Sequence, residues 1–216
     1  MKKLLLIAAA ASVAAASAPA AAVVTLDFEG IGDNNPVGNF YAPEYVFSDA
    51  TLALVDADAG GNGNFANEPT SDTVMFFLDA NNAVLDVTNG FDTGFSFFYT
   101  SSTAATVSVW SGLGATGSLL GSIDLTAQHT DNCVGDPNGT FCNWDAIGID
   151  FAGTAFSIDF GGTANFTAYD NITFGSATPG GAVPEPATWA FMIFGFGAIG
   201  GAMRRQRKAN VKVSYA

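Results

Sequence analysis

Two short acidic strings hold the side chains best suited to chemistry. They are Leu26-Asp27-Phe28-Glu29-Gly30 towards one end of the chain and Tyr169-Asp170-Asn171-Ile172 towards the other. Carboxylates are hard oxygen ligands, and a cluster of them is what calcium takes in an exported protein. The acids have few bases to meet. Twenty Asp and Glu stand against seven Lys and Arg, a formal charge of −13, and no Lys or Arg occurs between Leu4 and Met203. Acids in that span are therefore solvated, hydrogen-bonded or bound to a cation. A further acidic loop, from Asp56 through Asp58 to Asn64, opens like an EF-hand. Gly60 stands where the third ligand belongs and Asn67 where the closing Glu belongs, so the loop reads as a Gly/Asn hairpin.

Other chemistry is thinly supplied. The single histidine, His129, has no G-x-S-x-G partner motif and reads as a polar loop residue. Two carboxylates can hydrolyse a glycoside, but in so acidic a chain the presence of a pair selects nothing. The absence of cationic side chains from the body excludes nucleic-acid binding, which draws on counterion release by Lys and Arg. No GxxxxGK[ST] phosphate loop is present. Cys133 and Cys142 are the only cysteines and flank a turn-forming Asp136-Pro137-Asn138-Gly139; in an oxidising compartment they are expected to form a disulfide.

The elements that must position these groups are short strands. Apolar or alternating runs end repeatedly in Gly, Asn or Asp, which predicts strands at 23–28, 50–55, 73–78, 83–87, 94–99, 106–110, 119–125, 146–151, 155–160 and 167–174. Period-two sets (Phe95/Phe97/Tyr99, Val107/Val109, Ile147/Ile149/Phe151 and Phe156/Ile158/Phe160) would each turn one face to a core. The fold class expected is all-β: an antiparallel, jelly-roll-like β-sandwich over residues 23–175. First and last strands often pair in such a fold, which would bring Asp27 or Glu29 close to Asp170. That arrangement resembles jelly-roll carbohydrate-binding modules of the galactose-binding-like type. The resemblance implies that Asp27, Glu29 and Asp170 hold a structural calcium, and that exposed Trp or Tyr side chains stack on sugar rings. Candidates for stacking are Trp110, Trp144, Tyr41, Tyr45 and Tyr99.

The ends of the chain read as addresses. Lys2-Lys3, an apolar stretch from Leu4 to Ala16 and small residues through Ala20-Ala21-Ala22 form a signal peptide at 1–22, a helical segment with cleavage expected after Ala22. Residues 176–183 are small and turn-rich and read as a linker. Ala187 to Met203, including Gly195 and Gly197, is uncharged and just long enough for a transmembrane helix; Arg204, Arg205, Arg207 and Lys208 follow at once and predict a cytoplasmic end. Pro184 and Pro186 hold the chain extended before the helix, the form a protease-like active site binds.

The string Val183-Pro184-Glu185-Pro186-Ala187-Thr188-Trp189-Ala190, the Gly-Phe-Gly run and the basic cluster resemble a PEP-CTERM sorting signal of the PEPxxWA type. Two features differ from the usual pattern: Phe191 stands where Met is common, and a tail continues over 209–216. The resemblance implies a Gram-negative bacterium, recognition of Pro184, Glu185 and Pro186 by an exosortase-type sorting enzyme, and transient anchoring in the inner membrane. Release to the cell surface or extracellular space would follow, often where exopolysaccharide is made. The expected function is a non-catalytic structural or binding module associated with polysaccharide. The alternatives are a carbohydrate-binding module with structural calcium and, third, a glycoside hydrolase.

Overall fold

The structure, a computed structural model, describes residues 23–130 and 139–180 together with positions 193, 195, 196, 199, 200 and 204. Among the described residues there are eleven strands: β1 (Val24–Leu26), β2 (Tyr45–Phe47), β3 (Thr51–Val55), β4 (Thr73–Phe77), β5 (Asn82–Phe91), β6 (Gly94–Ser101), β7 (Ala105–Gly112), β8 (Thr116–Leu125), β9 (Asp145–Asp150), β10 (Ala155–Gly161) and β11 (Thr167–Phe174). They form two antiparallel sheets. One runs β3-β4-β11-β6-β9 with β1 also paired to β11; the other runs β2-β5-β10-β7-β8. The body of the chain is thus an all-β antiparallel sandwich, as its alternating patterns predict.

The alternation explains the core. Phe95, Phe97 and Tyr99 of β6 face Phe160 and Ile158 of β10 and Val107 and Val109 of β7, all within 3 % of full burial. Rings of Phe97, Phe160 and Tyr169 meet edge to face at 4.9–6.0 Å, a geometry that adds to the area they remove from water. Ile147, Ile149 and Phe151 pack at the margin of this core, half-buried. Strand β4 is buried along its whole length because both of its faces are covered. Met75 and Phe77 enter the main core. Val74 and Phe76 join Phe65 and Ala168 in a smaller cluster, packed by Leu52, Leu54, Phe141 and Trp144.

Four features depart from the sequence reading. Strand β2 is absent from the predicted set; its three residues are held against Val87, Asp86 and Leu85 of β5. Phe156 was expected to share a face with Ile158 and Phe160. A register shift between Ala155 and Ser157 sends Ala155 into the core instead and leaves Phe156 half-buried. Ser157 is fully buried and spans the β7–β8 connection, donating to Gly112 O at 2.5 Å and accepting from Ala115 N at 2.9 Å.

The fourth departure concerns the start of the expected linker, which is packed on the sandwich. Ser96 Oγ donates to Ser176 O at 2.8 Å, Gly175 N to Gly94 O at 2.9 Å, and Gly180 N to Thr173 Oγ1 at 3.2 Å. A Cβ on Gly94 would stand 2.7 Å from Ala177 N, so glycine is required where this strap crosses.

The signal peptide with its cleavage at Ala22 and the Pro184-Glu185-Pro186 motif with Trp189 and Ala190 lie outside the described residues. So does most of the expected membrane segment. Its described positions Ile193, Gly195, Phe196, Ile199 and Gly200, and Arg204 of the basic cluster that follows, are helical and exposed. Among the described residues no helix is long and apolar enough to cross a membrane.

Candidate functional site

The site is built where β11 changes partner. Along one edge, Ala168 and Tyr169 pair with Phe76 and Met75 of β4, whereas Ile172, Thr173 and Phe174 pair with β1. Along the other edge the register against β6 shifts between Asp170 and Thr173, and Asn171 takes φ 50°, a left-handed conformation that Asn tolerates better than most residues. Asp170 and Asn171 therefore sit in the gap between the end of β1 and the start of β4. The expected pairing of first and last strands is present, with Leu26 opposite Ile172.

Asp170 is completely buried in that gap. Its carboxylate accepts from Thr70 N at 3.0 Å, from Thr70 Oγ1 at 2.9 and 3.0 Å, and from Asn171 N at 2.6 Å. Glu29 reaches across from the chain just past β1 and accepts from Thr73 N at 3.0 Å and Thr73 Oγ1 at 3.2 Å. Between them Phe28, at φ 63°, buries its ring in the core and donates its N–H to Tyr41 Oη at 2.6 Å. Asp27 remains exposed and accepts from Glu29 N at 3.4 Å. The two carboxylates thus fasten the 68–73 segment to the first and last strands.

The electrostatics are those of acids without bases. Burial pushes the Asp170 carboxyl up to about 7 in spite of the Thr70 and Asn171 donors, and the neighbouring Glu29 charge adds to the rise. Burial likewise raises Glu29, with Asp72 and Asp27 contributing. Glu68 is raised by burial and then by Asp56, Asp72 and Glu29. Asp33 goes the other way. Backbone donation from Val55 and the side-chain and backbone donors of Asn62 outweigh its burial, and they pin the 56–64 hairpin to the chain after β1.

Asp27, Glu29 and Asp170 are brought to one end of the sandwich, with Asp170 and Glu29 in mutual electrostatic reach. Among the described residues, however, no three His, Cys, Asp or Glu side chains are gathered tightly enough to hold a metal ion. The threonines that hold the two carboxylates are the part of this site that sequence reasoning missed. Thr70 lies a hundred positions from Asp170, and nothing local marks it.

The aromatic candidates are mostly committed elsewhere. Tyr99 is buried. Trp144 donates Nε1 to Ala66 O at 3.1 Å and packs edge-on to Phe65. Tyr41 is engaged with Phe28, and the indole nitrogen of Trp110 is buried. Tyr45 is half-buried and stacks on Phe174, with ring centroids 4.8 Å apart at 29°. His129 packs its ring on Phe141 at 5.4 Å, and its carbonyl accepts from Cys142 N. Cys142 is buried and is not a free thiol; Cys133 lies outside the described residues.

Comparison with known proteins gives two kinds of likeness. No curated protein matches the chain. Among solved structures, the sandwich is similar to the K2 cleaved adhesin domain of Lys-gingipain at 15% identity and TM-score 0.48, over 71% of this chain and 99% of that one. It is also similar to a family 6 carbohydrate-binding module at 16% identity and TM-score 0.39, over 72% and 93%. A family 11 carbohydrate-binding module from Clostridium thermocellum is similar at 13% identity and TM-score 0.34, over 70% and 94%. Residues 182–208 match the family described as the PEP-CTERM protein-sorting motif. That stretch holds the Pro-Glu-Pro string, the apolar run and the basic cluster in order, and the chain therefore carries a PEP-CTERM sorting motif behind an all-β sandwich.

Proposed function

We propose that this is an exported protein sorted by an exosortase-type enzyme, and that its β-sandwich works outside the cell as a non-catalytic structural or binding module associated with exopolysaccharide. The observation that carries this reading is the sorting motif at 182–208. In this reading the signal peptide is removed after Ala22. The 187–203 segment holds the chain in the inner membrane until the enzyme acts at Pro184-Glu185-Pro186, and Arg204, Arg205, Arg207 and Lys208 keep the far side cytoplasmic. A Cys133–Cys142 disulfide closes the loop between them, and an exported compartment permits it.

The test is replacement of Pro184, Glu185 and Pro186 by alanine, followed by mass and fractionation. The expected result is retention of the unprocessed, larger form in the inner membrane. Unchanged size and location would overturn sorting by this motif.

A second reading, a carbohydrate-binding module with structural calcium held by Asp27, Glu29 and Asp170, draws support from the meeting of Glu29 and Asp170 at the strand switch. The donor set is all oxygen and has no basic partner, which is the chemistry calcium takes. The carboxylates would exchange threonine donors for the cation, and the 68–73 segment would be fastened through it. Calcium should then raise the melting temperature relative to chelator, since a ligand of the native state alone stabilises it. No shift would remove this reading.

A further inference from the structure

The two ends of β1 and β11 differ in character. One end holds the carboxylates. At the other, where β1 begins and β11 ends, a groove of ≈ 260 Å³ opens between the two sheets. Its floor is aromatic. Tyr45 of β2 lies on Phe174 of β11, and Phe91 of β5 meets Phe174 edge-on at 5.0 Å. The rim is polar and exposed, made by Asn89, Asp92 and Thr154.

The rim is closely packed. Gly90 sits beneath the rim at φ 71°, and a Cβ there would stand 2.7 Å from the Thr154 methyl and 3.0 Å from Ala155 O. Asn89 is oriented by its side-chain donation to Glu44.

A half-buried tyrosine lining a concave wall, ringed by amide, carboxylate and hydroxyl groups, is the chemistry that takes a sugar. The C–H face of a pyranose lies on the ring, and its hydroxyls bond the rim. Charge narrows the class. Asp92 lines the groove, Glu44 bonds its Asn89, and no Lys or Arg lies between residues 4 and 203 to meet an anion. A uronic acid or sulfated sugar would meet like charge without compensation.

We propose that this groove binds an uncharged pyranose of a polysaccharide, with Tyr45 as the stacking surface and Asn89, Asp92 and Thr154 as hydroxyl partners. The proposal rests on the polysaccharide-associated reading of the domain and names the class of glycan it takes.

The experiment is calorimetric titration of the full chain in detergent with cellohexaose, xylohexaose, mannohexaose and laminarihexaose, and with hexagalacturonate as the acidic comparison. At least one neutral oligosaccharide should bind and the galacturonate should not. Tyr45→Ala should weaken binding about tenfold or more, equivalent to losing one stacked ring. Tyr45→Phe should retain most of the affinity. Asp92→Ala, an exposed change that leaves the core untouched, should weaken it about fivefold.

Neutral binding unchanged in both Tyr45→Ala and Asp92→Ala would overturn this site while leaving the polysaccharide reading in place. Binding of galacturonate alone would overturn the uncharged class. No binding of any sugar would overturn both the site and the reading beneath it.

Discussion

Asp170 is the residue whose behaviour says most about the carboxylate end. Its ordinary pKa of 3.8 is pushed up to about 7 by burial, so between those values the folded chain holds a proton that the unfolded chain releases. Stability in chelator should therefore fall as pH rises from about 4 to about 7 and level off above, by an amount on the order of a few kcal/mol. Asp170→Asn should flatten that slope, which chemical denaturation at a series of pH values would show directly. A bound calcium demands the ionised form, so with calcium present the slope should reverse. A wild-type profile that ignores chelator would speak against the cation. Asp170 is legible as a candidate because it stands in the last predicted strand, which is expected to pair with the first. Its burial and its threonine partners are not, because they depend on β4 and β1 sharing one edge of β11.

At the level of elements, alternation served well where a strand has one covered face and poorly where something intervenes. Phe95, Phe97 and Phe160 declare their face by period two, and all three are fully buried. Phe97→Ala should cost about 3–5 kcal/mol, measurable as a lowered denaturation midpoint with unchanged slope. β2 escaped notice because only three residues pair and Pro43 stands close before them; long-range contact, not propensity, makes it a strand. The irregularity at Ser157 escaped notice for a related reason. A small polar residue in an apolar run gives no hint that the β7–β8 turn will fold back onto it. Small residues make 176–183 read as linker, yet in the described part, 176–180, those same small residues let the chain lie close on Gly94 and Gly148. Gly94→Val should press on Ala177 and Ser176, costing about 1–3 kcal/mol by overpacking. Limited proteolysis should then cut near residue 177 in the variant and spare the wild type.

For the whole molecule, every Asp and Glu except Glu185 lies in the body and every Lys and Arg lies outside it. Self-repulsion of that body is relieved by screening, so the melting temperature should rise between about 0.01 and 0.5 M sodium chloride. A flat response would mean that the acids are already neutralised by bound cations or by protonation. The position of β11 carries a consequence of a different kind, in time. It is the last strand among the described residues and lies at the centre of its sheet, and Thr25 of β1 waits for Thr173 across 148 positions. Loop closure that long must precede the contacts that reward it, which makes folding slow and late. A nascent chain shortened before residue 167 can form hairpins but not the first sheet. The sorting motif begins at residue 182, just after that final strand. The moment at which the domain can first close is therefore nearly the moment at which its sorting motif has been made, and the unfolded body needs protection from aggregation until then.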